Sequence, residues 1–468
     1  MLFLCMQTVV PESMTVFLCP KGGIIMTIKV LETLIETKKY KSIHEVLSEY
    51  NSVDLSELLS KLEESDRVIV FRMLDKQKAA EVFSYMDNDL RQSLIKTFTK
   101  QEIGNIINEM FADDAVDFLS DMPSNVVTQL LENVNQETRE SINYLLGYTQ
   151  DSVGSVMTSE FIKLKPDMTV RQALNKIREI GLDSETVYTC YVVEKRKLIG
   201  IVTAKDLMIN DENVLLTDLI NTKYISVHTN DDKEKVANLF RKYDLIAIPV
   251  VDSENCIVGI VTFDDAIDVL TDETTEDMHK MAAMSANDEE YLKTSVWKHA
   301  KNRVVWLLIL MLSATITGTI ITKYENAFAV VPLLVSFIPM LMDTGGNCGS
   351  QSSTLVIRGL AVEELNFSDT FKIIWKEFRV SIIVGSALSL ANGLRIMLMY
   401  KDIKLSIVVS LTLLCTIIIS KFVGCILPIV AKRLRLDPAI MAAPIITTVV
   451  DTFSIIIYFN IATIAFKL

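Results

Sequence analysis

The C-terminal third of the chain limits what the whole can be. Five apolar stretches, at about 304–322, 327–345, 379–400, 405–431 and 440–466, each approach the roughly 20 residues that cross a bilayer as a helix. The residues before them have the opposite character. Residues 1–300 hold 50 of the 59 acids and 31 of the 46 bases, a balance of −19, whereas residues 301–468 hold 9 acids and 15 bases, a balance of +6. A large acidic region therefore precedes a membrane region. Basic residues cluster on alternate connections: Lys298, Lys301 and Arg303 before the first span; Arg358, Lys372, Lys376 and Arg379 between the second and third; Lys432, Arg433 and Arg435 between the fourth and fifth. The positive-inside rule then places residues 1–303 in the cytoplasm and the C-terminus outside, in a multi-pass inner (plasma) membrane protein.

Charge excludes one partner class early, because no basic patch suits nucleic acid. The seven cysteines (Cys5, Cys19, Cys190, Cys256, Cys348, Cys415 and Cys425) show no CxxC spacing, and the four histidines do not pair at ligand spacing. Met1 to Val10 is apolar but lacks the basic start expected of a signal peptide. Lys21-Gly22-Gly23 can be encoded by a ribosome-binding sequence just upstream of Met26, so translation in a bacterium is expected to begin at Met26; mass spectrometry of the mature N-terminus tests this.

Residues 26–150 read as short amphipathic helices, with Leu55, Leu58, Leu59 and Leu62 at helical spacing and turns at Asp87-Asn88-Asp89 and Asp121-Met122-Pro123. A superhelical stack of hairpins with an acidic surface is expected. Residues 151–272 then carry an internal repeat of about 60 residues. Cys190-Tyr-Val-Val-Glu194 and Leu198-Ile-Gly-Ile-Val-Thr-Ala-Lys-Asp206 return as Ile246-Ala-Ile-Pro-Val-Val-Asp252 and Ile257-Val-Gly-Ile-Val-Thr-Phe-Asp-Asp265. Gly200 and Gly259 are read as tight strand starts. The doubled pattern resembles a CBS-domain pair, at 151–213 and 214–273, a regulatory module that often binds adenine nucleotides. The resemblance points to Thr203, Asp206, Thr262 and Asp265 as ribose contacts, with ATP the expected nucleotide.

Inside the membrane region, Asp451 stands out. A carboxylate at bilayer depth costs roughly 2.5–3.5 kcal/mol on insertion scales, so it belongs against a cavity or a partner. Thr447 and Thr448 lie one turn earlier on the same face. The second span ends in Pro339-Met-Leu-Met-Asp-Thr-Gly-Gly-Asn-Cys-Gly-Ser-Gln-Ser-Ser353, which either exposes backbone carbonyls to a water-filled path or packs one helix tightly on another. Lys421, well inside the fourth span, can snorkel, pair with a carboxylate, or repel cations.

Gly345-Gly-Asn-Cys-Gly-Ser-Gln351, Asp437-Pro-Ala and Thr447-Thr-Val-Val-Asp451, with Asp151-Ser-Val-Gly-Ser-Val-Met-Thr158 and Thr275-Glu-Asp-Met-His-Lys280 around the CBS pair, resemble the MgtE magnesium-transporter family. The order of domains is similar too, over residues from about 30 to 468. The resemblance implies a multidomain fold: an all-α superhelical N-terminal domain, an α/β CBS pair, a connecting plug helix at 274–303, and five transmembrane helices at 304–468. It implies a homodimer with a channel-like pore between the second and fifth membrane helices, Asp451 at the central ion site, Asp437 at a secondary one, and Gly345, Gly346, Asn347, Thr447 and Thr448 lining it. Magnesium keeps most of its water, which suits one or two carboxylates rather than a full protein cage. The family also implies cytoplasmic magnesium sensors at Asp113, Asp117, Asp265, Asp268, Glu276 and Asp277, on acid runs that repel one another until a divalent ion bridges them.

Rival readings are an enzyme, a CBS-regulated carrier of another divalent cation, and a non-conducting magnesium or nucleotide sensor. Neither a YD nor a GxGD signature surrounds Asp437 or Asp451, which disfavours an intramembrane aspartyl protease. Chloride channels and exporters with CBS domains place them after the membrane segments, whereas here they come first.

Overall fold

The computed structural model describes residues 17–18, 24–25, 28–120, 122–286, 291–292, 294–324, 331–362 and 364–467. Met26, Cys5 and Cys19 lie outside them, and with them the expectation about the start codon. The chain forms two compact units, residues 1–267 and 268–468.

The first unit begins with a β-bridge of two short strands, β1 (Phe17–Leu18) and β2 (Ile24–Ile25), followed by ten helices among the described residues, from α1 (Ile28–Glu36) to α10 (Gln136–Leu145). They stack as repeats, and the side-chain hydrogen bonds report the period. His44 with Met73, Ser52 with Glu81, Ser56 with Tyr85, and Ser93 with Glu64 are each 29 positions apart; Arg72 and Glu102 are 30 apart. Each hairpin therefore binds the next one along, the nearest-neighbour logic of a solenoid. Phe71, Phe83 and Phe118 run edge to face through its core, with centroids 6.2 and 5.0 Å apart. A Thr99–Glu102 capping box starts the helix Lys100–Glu109.

The repeat at 151–272 folds into two matching sheets. Strands β3 (Phe161–Leu164), β4 (Thr186–Glu194) and β5 (Lys197–Thr203) form one; β6 (Val227–His228), β7 (Ala247–Val251) and β8 (Ile257–Thr262) form the other. In each, the first pair is parallel and the second antiparallel. The helices α11 (Val170–Ile180), α12 (Ala204–Ile209) and α13 (Lys233–Tyr243) belong to the same module. The lead-in segments are exchanged: Thr158 bridges Ile260 of the second copy, and Asn221 bridges Ile201 of the first. This corrects the reading of the repeated glycines as strand starts. A Cβ on Gly259 would come within 2.8 Å of the Thr158 carbonyl oxygen, and one on Gly200 within 2.8 Å of the Asn221 oxygen. Both positions are glycine because another backbone crosses there.

The expected continuous helix at 274–303 is broken. Helix α14 (Phe263–Met281) ends in a Schellman motif: Ala283 is left-handed at φ 52°, its N–H donates to the Lys280 carbonyl, and the Met284 N–H donates to the His279 carbonyl. A new helix, α15 (Val296–Lys323), starts where the Ser295 hydroxyl accepts from the Lys298 N–H. Residues 287–290 and 293, between the two, lie outside the described residues.

Helices α15, α17 (Thr370–Tyr400), α18 (Ile403–Arg433) and α19 (Ala443–Phe466) are long and apolar enough to cross a membrane. Helix α16 (Ile338–Ala361) is the departure. It lies some ten residues beyond the expected second span, preceded by a 3-10 segment at Pro332–Phe337. Its 24 residues rise about 36 Å. The backbone stays helical straight through Gly345–Ser353, so the glycines pack instead of opening carbonyls. A Cβ on Gly345 would meet Thr416 Cγ2 at 2.7 Å and Val450 Cγ1 at 2.9 Å; one on Gly349 would meet Ile446 Cγ2 at 2.6 Å. On α18, a Cβ at Gly424 would land on the Gly349 carbonyl oxygen. Gly424→Ala is accordingly expected to lower the melting midpoint in detergent and the yield in membranes, since overpacking against rigid backbone costs about 1–3 kcal/mol or more. A yield and midpoint equal to wild type would contradict this packing.

Candidate ion pathway and acidic regulatory faces

The sequence of α16 divides it into two faces. Gly345, Gly346, Cys348, Gly349, Ser352 and Ser353 are buried against α18 and α19. Asp343, Asn347, Gln351 and Thr354, spaced four, four and three residues apart, are exposed along the other side. Placed in hydrocarbon, a polar stripe of this kind would have no water to satisfy it. Of the expected lining residues, Asn347 thus faces outward, while Gly345 and Gly346 face the bundle; a Cβ on Gly346 would meet Thr447 Cγ2 at 2.7 Å.

Asp451 is half-buried on α19, within electrostatic reach of Asp343. Sequence reading passed over Asp343, although it stands one turn before Asn347. The α19 hydroxyls are internally satisfied: Thr447 and Thr448 both donate to the Pro444 carbonyl, at 2.9 and 3.1 Å, and Thr452 donates to that of Thr448 at 3.0 Å. They pad the face around Asp451 without competing for its carboxylate.

Lys421 acquires an account. It is 4% exposed and lies 3.6 Å from Glu377 Oε2 on α17. Its Nζ donates to Ser352 Oγ on α16 at 3.1 Å, and Ser352 Oγ lies 2.6 Å from Glu377 Oε2. Of the three possibilities left open by the sequence, pairing with a carboxylate is the one realised. Glu377 escaped notice because the basic residues around it mark a loop, whereas α17 already begins at Thr370.

At the α14 end of the second unit, the Lys280 ammonium lies 2.6 Å from both Glu276 Oε1 and Asp437 Oδ2. Partial burial lowers the Lys280 pKa, but the two carboxylates outweigh that and hold it up to about 12. Burial, followed by the Asp437 charge, raises Asp277 above the ordinary carboxylate range. Met281 packs on Ile357, Ala439 and Ala442, so this turn of α14 is docked on the ends of α16 and α19. Asp437 also caps the Pro438–Met441 turn by accepting from the Ala439 N–H. Asp268 lies exposed on α14.

In the first unit, the helix Ala112–Ser120 carries Asp113, Asp114 and Asp117 on the side opposite its buried Ala112, Ala115, Val116, Phe118 and Leu119. Asp117 pairs with Arg91 at 3.4 Å and is well exposed. Asp113 and Asp114 face Asp264, Asp265 and Glu185 of the CBS pair. Burial, then the neighbouring acids Asp265, Glu185 and Asp114, push Asp113 well above its ordinary range. Burial raises Asp114 to about 6 against the nearby Arg91, and Asp265 to about 6 against hydrogen bonds from Thr262. Glu185, missed in the sequence, is raised to about 8 by burial and by Asp265, Asp264 and Asp114. Its Oε2 is buried without a hydrogen-bond partner among the described residues. Asp268, Glu276 and Asp277 lie in the other unit.

Thr203 and Asp206 form a capping box at the start of α12, with the Thr203 hydroxyl 2.5 Å from Asp206 Oδ2. Thr262 and Asp265 repeat it at the start of α14. This explains locally why the doubled motif ends in Thr-x-x-Asp. Among the described residues no three His, Cys, Asp or Glu side chains are arranged as a ready-made metal cage.

Comparison with known proteins agrees with this layout. Residues 338–461 match a family described as divalent cation transporter, residues 50–151 the MgtE intracellular N domain, and residues 153–211 and 216–272 the CBS domain. The magnesium transporter MgtE of Thermus thermophilus is 34% identical over 438 residues, covering 92% of this chain and 97% of that protein. The Bacillus subtilis protein of the same name is 32% identical, covering 92% and 95%. Among solved structures, the cytosolic domain of the Mg2+ channel MgtE in complex with ATP aligns at TM-score 0.50 and 32% identity, over 52% of this chain and 100% of that one. The soluble part of a magnesium transporter aligns at 0.51 and 30%, over 53% and 97%.

Proposed function

Because the chain belongs to the MgtE family of divalent cation transporters, we propose that it takes up magnesium through a channel-like pathway between two copies of itself, where α16 and α19 meet. The observation that carries this reading is the exposed stripe Asp343, Asn347, Gln351 and Thr354 beside Asp451. In a bilayer that stripe needs a partner, and a twofold axis supplies one with the same chemistry. Two Asp451 side chains, one per copy, then face a single path and hold a largely hydrated ion. Asp343 adds charge, and Gly345 and Gly346 let α16 sit close enough to α19 to share the path.

On this reading α15 to α19 are five spans, and the basic residues Lys298, Lys301 and Arg303 ahead of the apolar part of α15 favour a cytoplasmic N-terminal region with the C-terminus outside. In the cytoplasm, Asp113, Asp117, Asp265, Asp268, Glu276 and Asp277 are the magnesium-sensing acids, and Asp437 is a secondary ion site near the pathway. Low magnesium leaves the acids repelling one another, by about 1 kcal/mol per pair at 4 Å in water and about 4 at an effective dielectric of 20. Bound magnesium removes that repulsion and favours the compact, closed arrangement, a population shift set by its higher affinity for that state. The docked end of α14 takes the role of plug. The CBS pair offers an ATP site around Thr203, Asp206, Thr262 and Asp265.

Growth of a magnesium-transport-deficient bacterium tests the reading. Expression of the chain is expected to restore growth in low magnesium. A well-expressed, membrane-inserted chain that gives no rescue with magnesium, and moves another divalent ion or none, contradicts it.

A further inference from the structure

Ser352, Glu377 and Lys421 belong to three different helices, α16, α17 and α18, yet form one closed network. Ser352 Oγ accepts from Lys421 Nζ at 3.1 Å and donates to Glu377 Oε2 at 2.6 Å, and the two charges are 3.6 Å apart. Lys421 is 4% exposed and Ser352 is 1% exposed. A buried pair of this kind is a poor device for stability, because well-packed apolar residues of similar volume do as well or better. Its attested use is to fix register.

The neighbouring contact offers close packing without a hydrogen bond from its hydroxyls. Against α18, helix α16 presents Gly345 and Gly349, met by Thr416, Ser420 and Gly424. Small residues allow this close approach, and the contact they make is steric. The hydroxyls of Thr416 and Ser420 on the same seam have no hydrogen-bond partner among the described residues, so they add no directional contact. The triad sits within one turn of the Gly349–Gly424 contact and adds directional polar contacts to it. Ser352 is adjacent to Gln351, so any rotation of α16 that breaks the triad also re-aims Asp343, Asn347 and Gln351.

We propose that Glu377 and Lys421 are positioning residues of the permeation pathway, acting through Ser352 to set the register of α16. The inference rests on the reading of α16 as pathway-lining, and the two are tested separately. The full-length chain is reconstituted with a cysteine at Asn347, and the rate of its modification by a water-soluble thiosulfonate is compared with and without Ser352→Ala or the neutral double change Glu377→Gln with Lys421→Met. Magnesium uptake is measured in the same backgrounds with Asn347 intact.

Ser352→Ala keeps the ion pair and removes only the bridge. It is expected to change the modification rate, and to raise the half-saturating magnesium concentration, by about fivefold, the effect of one hydrogen bond, at unchanged membrane yield and melting midpoint. The double change avoids a lone buried charge, so it is expected to insert normally and shift both readouts in the same direction. Wild-type modification rates in both backgrounds overturn the proposal, whatever the uptake. Altered modification in a chain whose wild type moves no magnesium supports the positioning role and instead removes the magnesium reading.

Discussion

Asp451→Ala is expected to reduce magnesium uptake to background while leaving the protein in the membrane. A divalent ion at 4 Å from a carboxylate gains about 4 kcal/mol per unit of its charge at an effective dielectric of 20. Loss of even about 4 kcal/mol is roughly a thousandfold in binding. The neighbouring Thr447, Thr448 and Thr452 offer only neutral hydroxyl oxygens, which do not replace a full negative charge on this helix. Asp343→Ala should do less, since that side chain is the more exposed of the two and acts on the ion from α16. Removing a half-buried acid also relieves its desolvation, so the Asp451→Ala protein should melt no lower than wild type. Uptake in cells, normalised to membrane yield, checks the first expectation. Substantial uptake by Asp451→Ala would remove this residue from the pathway.

A second large effect is expected from pH in the acidic seam of the first unit. Folding raises these carboxyls, with Asp114 and Asp265 moved to about 6 and Glu185 to about 8. A group whose folded pKa is raised contributes stability that is complete below its unfolded value and lost as pH rises through the folded one. Without magnesium, the contact between the Ala112–Ser120 helix and the CBS pair is therefore firm near pH 4 and weakens progressively from about pH 4 to 8. Glu185, the group raised furthest with a stated value, contributes to that loss over the widest part of the window. Magnesium should restore protection at pH 8 and add little at pH 5, where protons already neutralise part of the seam. Amide hydrogen exchange in the Ala112–Ser120 helix, with and without magnesium at the two pH values, measures this. The double change Asp113→Asn with Asp265→Asn should weaken both dependences without abolishing them, since Glu185 and Asp114 remain buried, and a pH-independent wild type would contradict the account.

What the sequence made legible follows from which interactions are local. The CBS repeat was readable because each copy carries its own strand pair and Thr-x-x-Asp cap, and two copies agree. The helical N-terminal domain was readable from leucine spacing, though its repeat became plain only through contacts 29 positions apart. The four apolar spans were readable from hydropathy. The remaining long helix, α16, was misplaced because its polar stripe dilutes the hydropathy that marks a span. The break after Met281 was hidden for another reason: it turns on a left-handed alanine, in place of the glycine that normally announces a helix end.

The site divides in the same way. Asp451 was conspicuous because a lone acid in an apolar run has few structural uses. Lys421 was equally conspicuous, but its partner lies 44 positions away on another helix, and no local pattern connects them. Asp343 and Glu185 were passed over among ordinary neighbours; the first becomes notable only beside Asp451, the second only when the fold buries it opposite Asp113 and Asp265.

The central claim is that one chain both passes magnesium and senses it. The most direct measurement is magnesium flux into liposomes holding only the purified full-length protein, with the cytoplasmic face exposed to either zero or millimolar magnesium. The account predicts rapid flux at zero and strong suppression when magnesium reaches that face. No flux in either condition, from protein shown to be folded and inserted, would contradict transport; flux indifferent to cytoplasmic magnesium would contradict the sensing faces.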